Sequence, residues 1–510
     1  MKSFRVFLAL VLNSAALASV INIPAAQPTI QAGINAAQSG DTVLVAPGTY
    51  TENINFLGKA ITVKSSKGAS LTIIDGGNIA TVVTFDTNET SSSILSGFTL
   101  QHGNSTPNLL LIGGGVLVYF ASPTIMNNVI QNNLACGGGG GIGVYYGSPV
   151  IQGNTIKSCT VGCPGGSGAG ITLEGNGSAQ IIGNTIRNNT ATIGFGGGIA
   201  LVGAGTPTIE NNVISGNVAE GNSPSSQGGG IFIENILGAD ARILQNLIYG
   251  NIAGQGSGVY AFVPSGASPL FVNNTIVGSA SAPQGSAVYM TGFDDQVQFV
   301  NNLLIGPRTS NAVYCDNSYD QTPPAFIDGD AFSVNGTGLL GTCSLESSLN
   351  GNISVDPRFV NTYHLRAGSP VIDIGDNAAP SLPATDLAHG QRIINGNNGP
   401  VAVVDLGAYE FAPATVFPAT LSFGSKTVGS VTSKTVKLTN AQTTALNISA
   451  YSVPAGYTVT GCGSMVSALS ACTLTVTFQP QAKGTFNGYL TITDDAGNSP
   501  QTVSLSGGGH

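Results

Sequence analysis

The sequence predicts an all-β chain: a long parallel β-helix (solenoid) with an N-terminal capping helix, followed by a small β-sandwich. Three observations carry this reading. One short phrase recurs seven times between residues 123 and 307. The composition suits strands and tight turns. The periodicity changes after Phe411.

The phrase reads Pro123-TIMNNVIQNN, Pro149-VIQGNTIKSC, Ala179-QIIGNTIRNN, Pro207-TIENNVISGN, Ala241-RILQNLIYGN, Pro269-LFVNNTIVGS and Val297-QFVNNLLIGP. Its second polar position is Asn128, Asn154, Asn184, Asn212, Asn246, Asn274 and Asn302, at steps of 26 to 34 residues. Between phrases a small-residue-led strand recurs, as in Gly115-VLVY, Gly141-IGVY, Gly170-ITLE and Gly230-IFIE. No single period can bury its apolar residues, so the periods must stack at the ~4.8 Å strand spacing. Stacking turns Ile130, Ile156, Ile186, Ile214 and Ile248 into an inward column. It turns the Asn positions into a ladder of side-chain amides.

Gly supplies 71 of 510 residues, about twice the usual share of ~7%. Charged residues are 8%, against roughly 25% in ordinary domains, and hydrophobic residues are 42%. Such a chain can build a large core. Its net charge of −9 is diffuse and no run of Lys or Arg occurs, so no nucleic-acid partner is expected.

Lys2, Arg5, the apolar stretch Val6 to Ala18 and the small-x-small Ala16-Leu17-Ala18 read as a signal peptide over residues 1–18. No segment is long and apolar enough to predict a transmembrane helix. The expected product is exported, secreted or held at the cell surface, and monomeric.

Export permits disulfides. Phasing on the ladder places Cys136 nearly above Cys163 on adjacent coils, and a Cys136–Cys163 bond is expected, with Cys159 as a competing partner. Cys315 with Cys343 and Cys462 with Cys472 form the other groups. No two His stand at metal-ligand spacing.

The solenoid should span residues 25–411. An amphipathic helix between Pro28 and Gln38, with Ile30, Ile34 and Ala37 on one face, should cap its start. Strands are expected at Thr42–Val45, Ile61–Lys64 and Leu71–Ile74. Residues 412–418 read as a Pro/Ala linker. Residues 419–510 alternate through about seven strands, with Val436, Leu438, Leu474, Val476, Phe478, Leu490, Ile492, Val503 and Leu505 inward.

Pro28-TIQAGINAAQSGDTVLVAPGTYTENI resembles the opening of bacterial pectin-lyase-like, right-handed β-helix proteins. Asp356-PRFVNTYHLRAGSPVIDIGDNA, ending in Asp405-LGAYEF, is similar to the closing segment of exported bacterial β-helix proteins of the choice-of-anchor Q type. Cys472-TLTVTFQP through Val503-SLSGGG resembles Ig-like choice-of-anchor D modules. The resemblance implies a right-handed parallel β-helix followed by an Ig-like β-sandwich. It leaves activity open, since the superfamily includes lyases, hydrolases, epimerases and proteins without a known reaction.

Polysaccharide-acting β-helices gather carboxylates and a base on one outer groove. A lyase needs acids to hold calcium plus Arg or Lys to take the α-proton; a hydrolase needs two opposed carboxylates. Lys157 and Arg187 are neighbours, each three residues beyond a ladder Asn. Glu174 and Glu234 occupy equivalent strand positions two coils apart, roughly 9–10 Å, in one column with Tyr119 and Tyr145. One reading is a shallow sugar-binding face, with Tyr rings under sugar planes and Lys157 and Arg187 meeting an anionic polymer. The other is a solvated surface. Asp294-Asp295 is the one adjacent acid pair in the coils and the weak candidate for catalysis, but Gly292-Phe-Asp-Asp also reads as a turn. The Gly-His-Gly and Arg-Ile-Lys that accompany such a pair in polygalacturonase-type hydrolases are missing. The acids and bases of the closing segment suit either a ligand or calcium site or a salt-bridged cap on the last coil. The functional expectation is a binder of polysaccharide or cell-envelope glycan without strong catalysis and without a cofactor. The alternatives are a lyase (with calcium) or hydrolase of an acidic polysaccharide, and a surface adhesin.

Overall fold

The computed structural model describes residues 18–106, 112–203, 205–221, 226–234, 240–264, 266–292, 296–308, 310–316, 318, 325–327, 331–332, 338–344 and 351–510. The expected signal peptide, apart from Ala18, lies outside the described residues, and so do Asp294 and Asp295. Each coil holds three main strands. In one coil these are Val116–Tyr119, Thr124–Met126 and Val129–Gln131; in the next, Ile142–Tyr145, Val150–Gln152 and Thr155–Lys157. Equivalent strands pair in parallel and in register. They form a first sheet of 11 strands, a second of 12 and a third of 12 among the described residues.

The repeated phrase divides between the second and third sheets at its paired polar residues. Asn127, Gly153, Gly183, Asn211, Gln245, Asn273 and Asn301 turn the corner with φ between 53° and 64°. Gly and Asn tolerate that left-handed backbone best. The next residue is the ladder Asn. From Asn128 to Asn302 each Nδ2 donates to the Oδ1 one coil on, at 2.9–3.2 Å. Asn212 shows the pattern: its Nδ2 also donates to the Ile181 carbonyl, and its Oδ1 also accepts the Asn184 backbone N–H. A fully paired buried amide avoids a desolvation cost of about 1–3 kcal/mol per group.

A second Asn column lies five residues further along the phrase, and the sequence reading missed it. Asn189 donates to Asn217, and Asn217 to Asn251, at 2.9 and 3.0 Å. Cys159 stands in this column where its neighbours carry Asn133 and Asn189: its N–H donates to Asn189 Oδ1, and its Sγ lies 3.9 Å from Asn133 Nδ2. Burial pushes its thiol up to about 11. The disulfides are Cys136–Cys163, Cys315–Cys343 and Cys462–Cys472, with Cys159 buried and free.

The aliphatic columns meet in one core, with Ile130, Ile156, Ile186, Ile214 and Ile248 fully buried. The strand-leading glycines are a packing requirement. A Cβ on Gly170 would stand 2.5 Å from the Gly198 carbonyl and 2.9 Å from Ile186.

Helix α1, Ile30–Ala36, caps the start and buries Ile30 and Ile34. Thr29 Oγ1 accepts the Ala32 N–H, and the Glu52 carboxylate accepts the N–H groups of Ile30 and Gln31. Lys59 Nζ donates to the carbonyls of Ile34, Asn35 and Ala37 at the other end. An acid at the N-terminus and a cation at the C-terminus both complement the helix dipole. Val20–Ile23 precedes the helix and pairs with Thr42–Val45. The next strands run Thr62–Ser65 and Thr72–Asp75, each starting one residue later than expected.

The closing segment departs from the expected salt-bridged cap in two ways. It runs back along the outside of the solenoid, over the corner between the second and third sheets. Gln245 donates to the Thr385 carbonyl, Asn273 to the carbonyls of Asp405 and Gly407, and Asn301 to that of Asp376. These anchors lie on three successive coils. Leu244, Val272 and Val300 face outward there and pack on Ala379 and Leu382. The segment's carboxylates mostly accept backbone N–H groups: Asp373 from Gly396 and Asn397, Asp386 from Gly390 and Glu410, and Asp405 from Asp373 and Phe411. An irregular chain lacks ladder partners for its N–H groups, and these acids supply them. Arg392, 1% exposed, donates to the carbonyls of Gly407 and Ala408 and lies 3.4 Å from Glu410.

Ala414–Phe417, read from the sequence as linker, is a strand paired antiparallel with Thr432–Asn440. The sandwich stacks a four-stranded sheet on a five-stranded one. Its core contains all nine residues expected to face inward.

Candidate functional site

In-register pairing settles where the candidate side chains stand. Tyr119, Tyr145, Glu174, Val202, Glu234 and Phe262 form one outward column at the ends of first-sheet strands. The rings of Tyr119 and Tyr145 stack, 5.6 Å apart and 13° from parallel. Asp86 precedes Tyr119 in this column, one residue beyond the strand Val83–Phe85. Lys157 and Arg187 pair with each other on the third sheet. The single face expected from the sequence is therefore two separate columns on two sheets, and the basic pair does not stand among the Tyr and Glu residues.

Among the described residues the ion pairs are His102–Asp75 and Arg392–Glu410, so no carboxylate neutralises Lys157 or Arg187. Burial against the strand pushes the Glu174 carboxyl above its ordinary range. Glu174 and Glu234 lie two coil steps apart with Val202 between them, about 9–10 Å. That exceeds the spacing of about 5–5.5 Å for a retaining hydrolase and sits at the outer limit for an inverting one. Among the described residues no group of three His, Cys, Asp or Glu side chains is placed to hold a metal ion.

Two residues outside the sequence expectation complete the site. Phe120 and Tyr146 follow Tyr119 and Tyr145 at the coil corner. Their rings lie 5.3 Å apart and 5° from parallel. Each meets its strand neighbour edge-on at 4.7 Å, Phe120 with Tyr119 and Tyr146 with Tyr145. Phe120 is 49% exposed and Tyr146 41%. The four rings make one surface. Beside it a groove of about 300 Å³ is lined by Asn53, Asn55, Thr84, Asp86, Asn104 and Leu117, among others. The doublets Tyr119-Phe120 and Tyr145-Tyr146 were the visible signal, but their second members sit where a turn is expected.

Further along the first sheet, Phe232, Tyr260 and Tyr289 stack at centroid distances of 5.4–5.6 Å, and Tyr314 follows at 5.0 Å, tilted by 38°. The first three are nearly buried, so this ladder serves packing.

A model of the right-handed β-helix region matches residues 114–304, and a model of the ASPM-SPD-2-Hydin (ASH) domain matches residues 411–502. No curated protein matches the sequence. Among solved structures, the PL6 family alginate lyase AlyGC is 13% identical, covering 80% of this chain and 62% of its own, with a TM-score of 0.36. The PapD-like domain 7 of human CEP192 is 14% identical over 19% of this chain and 86% of its own, with a TM-score of 0.18. A Porphyromonas gingivalis W83 protein of unknown function is 11% identical over 19% and 46%, with a TM-score of 0.17. The chain is an all-β protein, a parallel β-solenoid followed by an Ig-like, ASH-type antiparallel sandwich.

Proposed function

We propose that this is an exported protein that binds polysaccharide or cell-envelope glycan through the outward face of its uncovered coils, without strong catalysis. The membership of the solenoid among pectin-lyase-like proteins, and of its closing segment in the choice-of-anchor Q type, is part of this proposal. The observation that carries the binding reading is the four-ring surface at Tyr119, Phe120, Tyr145 and Tyr146. Large exposed aromatic surfaces on a rigid scaffold mark interaction sites, and aromatic rings take the apolar faces of sugars. Three disulfides fit an oxidising compartment, and among the described residues no helix is long and apolar enough to cross a membrane.

A lyase would need its base close to carboxylates, whereas Lys157 and Arg187 stand on a different sheet from Glu174 and Glu234. The test is to run the mature protein through native gels cast with a range of polysaccharides while assaying the same polymers for 235 nm absorbance and reducing ends. Retardation by at least one polymer without new products is expected. Products at turnover rates typical of enzymes would replace the binding reading with a catalytic one.

A further inference from the structure

We infer that the Phe120–Tyr146 corner and the groove beside it form a binding site for an uncharged glycan chain, one without uronate or sulfate groups. This rests on the carbohydrate-binding reading and names its ligand class.

The backbone is costly at this corner on two successive coils. Phe120 and Tyr146 have φ of +49° and +50°. Three later coils place Gly175, Gly203 and Gly292 at the equivalent position, with φ of +86°, +59° and +65°. Left-handed backbone is unfavourable for a bulky side chain, and glycine removes the difficulty. Burial repays Phe120 and Tyr146 only in part, since both remain nearly half open to solvent. Tyr146 also rests on Gly175, where any Cβ would come within 2.8–2.9 Å of its ring. Two adjacent coils thus hold strained aromatics at the surface, and the next coil makes room for Tyr146. Strain of this kind persists where a function retains it.

The polar surroundings choose the ligand. Asp86 lies one coil before Tyr119 and Glu174 one coil after Tyr145, so acids flank the rings about 14 Å apart. The groove adds the hydroxyl of Thr84, while its amides are engaged within the protein, Asn53 donating to the carbonyls of Gly76, Ala80 and Thr81, Asn55 to Asp86 and Asn104 to the carbonyl of Asn78. No Lys or Arg stands among the groove residues or in the column from Asp86 to Phe262. Neutral sugars offer C–H faces to the rings and hydroxyl donors to the carboxylates. A polyuronate or sulfated chain would meet like charge from Asp86 and Glu174 with no cation to offset it.

The test uses affinity gels containing neutral polymers (a mixed-linkage β-glucan, a xyloglucan, a galactomannan) or acidic ones (polygalacturonate, alginate). The full mature protein is compared with the double variant Phe120→Gly/Tyr146→Gly. A second pair, Phe120→Asn/Tyr146→Asn, also tolerates the left-handed corner. Retardation by a neutral polymer that is insensitive to salt is expected. Either double variant should weaken it by about tenfold or more while the melting temperature stays unchanged or rises. Binding that survives both variants overturns the site, as does a fall in melting temperature that parallels the loss. Retention on acidic polymers alone, abolished by Lys157→Ala/Arg187→Ala, overturns the ligand class but leaves the carbohydrate-binding reading standing. No retardation of the wild type by any polymer ends both.

Discussion

The coils before residue 235 and those after residue 240 share one interior and differ on the outside. The same Asn ladder runs through both and the inward columns stay apolar, although that of the second sheet turns from Ile243 to Phe271 and Phe299. At the third position of the second-sheet strands the early coils carry Met126, Gln152, Ile182 and Glu210, and the later ones Leu244, Val272 and Val300. On the third sheet Gln131, Lys157, Arg187 and Ser215 give way to Tyr249, Val277 and Ile305. The change marks where the closing segment lies. In a solenoid the inward columns must stay apolar, while each outward column reports what covers it, coil by coil. The uncovered coils carry both Asn columns, whereas the Asn217–Asn251 bond joins the last described pair of the second one. With no lateral cover, the second ladder gives those coils additional axial hydrogen bonds.

The sharpest way to break this contrast is a matched pair of substitutions. Val272→Asp buries an unpaired charge at a fully buried site under Ala379 and Leu382, and should cost about 4 kcal/mol in urea unfolding. Gln152→Asp, at the equivalent exposed position, should change stability by less than about 0.5 kcal/mol. Equal costs would mean that the closing segment does not cover the later coils in solution.

A smaller effect should separate the two halves by pH. Burial pushes Asp405 up to about 7, and burial together with Asp405 also raises Glu410. Carboxyls raised in the folded state stabilise it fully below their unfolded range, near pH 4, and that contribution is lost as pH rises through about 7. Amide exchange at Asp373 and Phe411, whose N–H groups Asp405 accepts, should therefore be slower at pH 5 than at pH 8 after correction for intrinsic rates. Asp405→Asn should flatten this difference and leave the exchange of Ile156 and Ile186 unaltered.

The smallest expected effect belongs to the uncovered half. Cys159→Asn would complete the second ladder between Asn133 and Asn189, raising stability by about 1 kcal/mol. A loss of stability would mean that the coil at Cys159 is spaced for sulfur and not for an amide.

The inward part of this architecture was legible because its period is short and local. Asn128 to Asn302 and the Ile columns could be aligned by eye. The second Asn column was printed in the same phrases but is interrupted by Cys159, which disguises it. The course of the closing segment was not legible, because nothing within residues 356–411 says which coil it touches. Its signature stands instead at Leu244, Val272 and Val300, on the partner surface. The candidate face was half legible. Phase places Tyr119, Tyr145, Glu174 and Glu234 in one column and Lys157 with Arg187 in another, but it does not give the angle between sheets. Phe120 and Tyr146 were missed because only the backbone reveals that aromatic residues hold a glycine's conformation there.

The three anchors Gln245, Asn273 and Asn301 behave as marks on a ruler. The closing segment spans them at fixed intervals, so the number of coils between them is set by its own length. Removing one whole coil from the stretch before residue 235 would shorten the rod and leave every mark aligned. Removing one between Gln245 and Asn301 would put Thr385, Asp405 and Asp376 opposite the wrong partners. Growth and shrinkage of this molecule by whole-coil duplication or loss are therefore confined to its uncovered half, the half that carries the aromatic corner.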